Sequence, residues 1–121
     1  MTSKSAIQAK LARFRWVQDV VVNDGIERVQ VVFTFEESKE DENLTFVQMY
    51  DRMSKITLAI KSLIPAGYSL RLGGKVASGM TMVTAILNAD TLAELDSANE
   101  NIDWPLVADE YNVAPGMRAR R

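Results

Sequence analysis

The chain contains neither cysteine nor histidine. The first absence removes disulfides, thiolate nucleophiles and zinc sites built on sulfur. The second removes the one side chain that titrates near neutrality unaided, which is also the commonest transition-metal ligand. Serine–histidine and cysteine–histidine catalysis are therefore excluded. An enzyme would be left with carboxylate, lysine or tyrosine chemistry, or with a metal held by oxygen alone. Long apolar runs are also missing: none approaches the ~20 residues that span a membrane. The opening residues, Met1 to Ala12, are too polar for an export signal. A cytoplasmic protein without a cofactor and without membrane contact is expected.

The 121 residues are enough for one domain with a real core, and 47% apolar with 25% charged is ordinary globular composition. The net charge of −2 hides a segregation. Lys4, Lys10, Arg13 and Arg15 stand in the first fifteen residues with no acid among them. Glu36, Glu37, Glu40, Asp41 and Glu42 follow, against Lys39 alone. Asp90, Glu94, Asp96, Glu100, Asp103, Asp109 and Glu110 then run without a base, and Arg118, Arg120 and Arg121 end the chain. The expected organisation is a basic arm or short helix over 1–12, a single α+β domain over 13–113, and a flexible Arg-rich tail over 114–121.

The strongest periodic signal is a helix over 44–64. Phe46, Met49, Met53, Ile56, Ile60 and Leu63 recur at spacings of three and four, making one apolar stripe. Thr45 with Gln48 forms a capping-box pattern, and Pro65 and Gly67 stop the helix. Before it the period is two. Phe14, Trp16, Val20 and Val22 share one face of a strand, and Asn23-Asp24-Gly25 signals a turn. A two-residue Asp24-Gly25 loop would pair Asn23 with Ile26 and set Val20 opposite Val29 and Trp16 opposite Phe33. After the helix, Tyr68, Leu70 and Leu72 make a third strand, and Ser78-Gly79 turns into a fourth. Asp90 or Thr91 caps a short helix, and Asp103-Trp104-Pro105 begins another helical turn docked by Leu106, Val107 and Tyr111. The fold class is α+β. Two antiparallel hairpins form one sheet of about four strands, packed by the long central helix, with short helices at the C-terminal end.

Motifs with a direct chemical meaning are few. Gly73 to Gly79 lacks the lysine–hydroxyl pair that opens a helix in a phosphate loop, so it reads as a bulged hairpin. Residues 28–37 match the RNA-binding octapeptide of RNA-recognition motifs only at Arg28 and Phe35. The base-stacking positions there are Gln30 and Val32. The acidic loop 36–43 reads as a solvated connector near the helix N-terminus, with a cation site or an epitope for a basic partner as the other readings.

These features point to a non-enzymatic protein-binding module, an adaptor, inhibitor or assembly factor. Its partner surface is expected at Glu36, Glu37, Glu40, Asp41, Glu42, Asp96, Glu100, Asp103, Asp109 and Glu110. The alternative is nucleic-acid binding through Lys4, Lys10, Arg13, Arg15, Arg118, Arg120 and Arg121, with Phe14 and Trp16 stacking on bases. The fourth strand is apolar on both sides, so a second copy of the chain is expected to cover Met80, Met82 and Ile86. The order helix, two strands, helix, two strands, helix, together with the acidity, resembles the small acidic type III secretion chaperones. The resemblance lies in topology and charge, and implies a homodimer that binds an unfolded partner segment.

Overall fold

The apolar stripe becomes α2, Glu42–Ile60, and the rest of the chain packs on it. The computed structural model describes residues 4–37, 41–96 and 102–114. The cap of α2 is Asp41, whose carboxylate accepts from the Asn43 amide at 2.9 Å, so the helix starts before the expected Thr45. Thr45 is instead buried inside the first turns. A 3₁₀ turn, Lys61–Leu63, ends the helix ahead of Pro65. Met49, Met53, Ile56 and Ile60 are fully buried, each contributing ~1.5–3 kcal/mol by leaving water.

Ahead of α2 lie α1 (Lys4–Leu11), β1 (Val17–Asn23) and β2 (Arg28–Thr34). Behind it come β3 (Ser69–Lys75), β4 (Thr81–Leu87), α3 (Ala89–Glu94), α4 (Trp104–Val107) and β5 (Glu110–Val113). The first stretch is a helix, held down by Ile7 and Leu11, four residues apart and both buried.

The sheet has five strands in the order β1-β2-β3-β4-β5, not four. It is mixed. β1–β2, β3–β4 and β4–β5 are antiparallel, while β2–β3 is parallel because α2 carries the chain back across the sheet. The added strand, β5, takes the place of the expected helical docking of Tyr111. At four residues it is too short to show a period, and it forms because β4 offers it a free edge. The amides of Asp109 and Ala114 extend that ladder, donating to the Ile86 and Met82 carbonyls.

The first hairpin also differs from the two-residue turn. Asn23 pairs with Arg28 across a four-residue connection, so Val20 lies opposite Val31, Val22 opposite Val29, and Val17 rather than Trp16 opposite Phe33. Asn23 Oδ1 accepts from the Gly25 amide at 3.0 Å, and the left-handed residue is Glu27 (φ 52°) rather than Gly25. For Val20 the register moves by two residues, an even number, so the same face of β1 stays buried. Val29, Val31, Phe33, Leu70 and Leu72 meet α2 in the core, closed by Ile7, Leu11 and Trp104.

Candidate functional site

On the side of α2 away from the sheet, two large apolar residues stand in solvent. Leu44 is 58% exposed and Val47 63%. Three-residue spacing puts them on one flank, and the next turns bring Tyr50, Asp51 and Ser54 around beside them. With Gln48 and Ile102 these side chains line a groove of about 560 Å³. The hydroxyls on its floor already have partners. The Tyr50 and Tyr111 hydroxyls are 2.6 Å apart, and Ser54 Oγ accepts from the buried Trp104 indole Nε1 at 3.0 Å. Burial, and then the bond to Tyr50, push the Tyr111 phenol well above its ordinary value, so it stays neutral. Two residues past Trp104, Leu106 adds a further apolar side chain at 79% exposure.

The acids divide into two groups. The Glu36 amide donates to Gln48 Oε1 at 2.7 Å, which holds Glu36 beside the groove, with Glu37 exposed next to it. Asp41 caps α2 three residues before Leu44, and Glu42 opens the helix. Asp103 lies between Ile102, in the groove wall, and Trp104. Asp51 is the charged member of the lining and pairs with Lys55 at 3.0 Å, an exposed pair worth little. The other acids lie elsewhere. Asp96 is exposed beyond α3, Asp109 accepts from the Asn88 amide at 2.7 Å, and Glu110 stands on β5. Glu40 and Glu100 fall outside the described residues.

The basic arm is built into the helical layer. Lys4 and Lys10 are exposed on α1, and Arg15 is exposed beyond it. Arg13 lies 4.8 Å over Phe14, Phe14 stacks on Trp16 at 4.7 Å, and Arg52 lies 5.1 Å over Trp16. Both rings expected to stack on bases thus carry stacking partners from the chain itself. Arg52 also donates to the Thr34 carbonyl. Its desolvation lowers its pKa, against the pull of Glu36 and Asp51. Arg118, Arg120 and Arg121 fall outside the described residues.

The residues expected to meet a second copy are mostly covered within one chain. Met82 is 8% exposed and joins the main core, because the bulge between Gly74 and Lys75 breaks the alternation of β4. Ile86 is also 8% exposed, leaving Met80, at 60%, as the one member on the surface.

A cationic cluster on the sheet is not visible in local sequence pattern. Arg28 on β2, with Arg71 and Lys75 on β3, shares the sheet face opposite the core. Strand alternation alone places each of them outward. Their proximity follows only from the parallel β2–β3 register. Among the described residues no three potential metal ligands gather, and no helix is long and apolar enough to cross a membrane. The chain matches no family model, no curated protein and no solved structure, so the chemistry of these surfaces is the ground for a functional reading.

Proposed function

We propose that the chain is a non-enzymatic protein-binding module whose α2 groove takes an amphipathic, basic segment of a partner protein. The observation that carries this reading is the exposed pair Leu44 and Val47 at the rim of a groove whose floor hydroxyls are already paired. An apolar side chain entering there displaces water while the Tyr50 and Ser54 hydroxyls keep the partners they already have. Glu36, Asp41, Asp51 and Asp103 give the surroundings a negative potential, which steers a cationic partner and disfavours an acidic one. A helix presenting residues at three- and four-residue spacing is the natural shape for such a groove.

Two labelled peptides test it: an amphipathic leucine–lysine helix and its leucine–glutamate counterpart, titrated in fluorescence anisotropy. The lysine peptide is expected to bind more tightly. Val47→Asp should weaken it by about tenfold while leaving the melting temperature unchanged, since an exposed position contributes little to folding. Equal binding of the two peptides, or full binding to the variant, refutes the reading.

A further inference from the structure

The sheet face turned away from the helices carries a line of cations that the groove does not use. Paired residues share a face, so the β2–β3 register brings four couples to this surface: Arg28 with Ser69, Gln30 with Arg71, Val32 with Gly73, and Thr34 with Lys75. Across β4 the same face continues through the half-buried Thr84, beside the buried Ile86, and β5 adds Asn112. Among the described residues the strand carboxylates on this face stand at its margins: Asp19 on β1, which accepts from the Val20 amide at 2.9 Å, and Glu110 on β5. Among the described residues, none of Arg28, Arg71 and Lys75 forms an ion pair.

We propose that this face binds single-stranded nucleic acid, with Arg28, Arg71 and Lys75 taking phosphates along one strand. Arg71 and Lys75 are four residues apart on one strand, or about 13 Å at ~3.3 Å per residue. Arg28 stands level with Ser69, which extends the line to about 20 Å. Ser69 Oγ accepts from Arg28 Nε at 3.0 Å and fixes that guanidinium by its inner edge. Arg71 runs back over Gly73: its Nη1 would lie 3.8 Å from a Cβ placed there. The guanidinium therefore reaches the middle of the sheet, where a base can stack on it. Gln30, Thr84 and Asn112 surround it with donors and acceptors for base edges. An acidic peptide would use the charges but neither the stacking plane nor these groups. Among the described residues no helix or ribbon projects from the face to enter a duplex groove.

The test is fluorescence anisotropy with a labelled oligothymidylate of about 20 nucleotides. Three phosphate contacts at ~0.7 ion each give a slope of about −2 in log affinity against log salt, so affinity falls about twentyfold between ~50 and ~200 mM. Arg28→Gln, Arg71→Gln and Lys75→Gln combined should abolish binding, with the fold checked by circular dichroism. Thr84→Lys, which adds a fourth cation to the same face, should steepen the slope by about 0.7. That gain cannot arise from unfolding. Lys4→Gln and Lys10→Gln combined should leave affinity unchanged, because both residues stand on α1, in the helical layer. No binding at low salt, an unaltered slope in the sheet variants, or loss of binding in the α1 variant overturns the assignment. Equal affinity for a duplex or for polyglutamate overturns the choice of single-stranded nucleic acid.

Discussion

Adjacent glycines in β3 offer a sharp test of how the sheet meets its core. Gly74 faces inward, paired with Phe33 on one side and Val83 on the other. A Cβ added there would lie 2.6 Å from Val83 Cγ1 and 2.7 Å from Phe33 Cζ. Ordinary carbon contacts stand at ~3.5–4.0 Å, so each overlap is about 1 Å. Neither neighbour has room to retreat: Phe33 is fully buried and Val83 is 1% exposed. The Phe33 ring is also held edge-on by Trp16 and tilted against Phe35. Overpacking of this kind costs about 1–3 kcal/mol, and the stiffer unfolded chain of an alanine returns only about 0.4–1. Gly74→Ala should therefore destabilise by about 1.3 kcal/mol net. With a urea slope of ~1.5 kcal/mol per molar, the unfolding midpoint drops by about 0.9 M. Gly73→Ala is the control, since the new methyl meets only the Arg71 side chain, at 3.8 Å, and its midpoint should barely move. In a double-mutant cycle with Phe33→Leu, Gly74→Ala should show a coupling above about 0.5 kcal/mol. Equal shifts at the two glycines, or no coupling to Phe33, would refute the argument.

Trp104→Phe should destabilise by about 1–3 kcal/mol, because it strips the donor from Ser54 Oγ at a site 3% exposed. Adding Ser54→Ala should recover part of that loss in denaturant titrations, and strict additivity would show that the bond contributes nothing. The raised pKa of Tyr111 makes an alkaline prediction. A neutral phenol is favoured in the folded state, so its stabilisation is complete below the ordinary tyrosine value of about 10 and is lost as pH climbs beyond it. Tyr111→Phe should flatten the fall in melting temperature above pH ~10, and an identical alkaline limb in the variant rules out the contribution.

Much of this molecule is written in short-range pattern. The absence of histidine and cysteine limits its chemistry without any structure. The stripe from Met49 to Ile60 makes α2, since one apolar face every 3.6 residues has a single way to be buried. Which face of each main strand turns inward is equally local. The period of two survived even a two-residue shift in the β1–β2 register. What the pattern does not contain is which strands become neighbours. The parallel β2–β3 pairing depends on α2 folding back over the sheet, and β5 exists only because β4 presents an unpaired edge. The bulge that turns Met82 into the core forms where Gly74 and Lys75 meet β4, so alternation read along β4 alone misplaces it. Both candidate surfaces have the same origin. Leu44 and Ile102, like Arg28 and Arg71, lie far apart in the chain and meet through packing that no local period encodes.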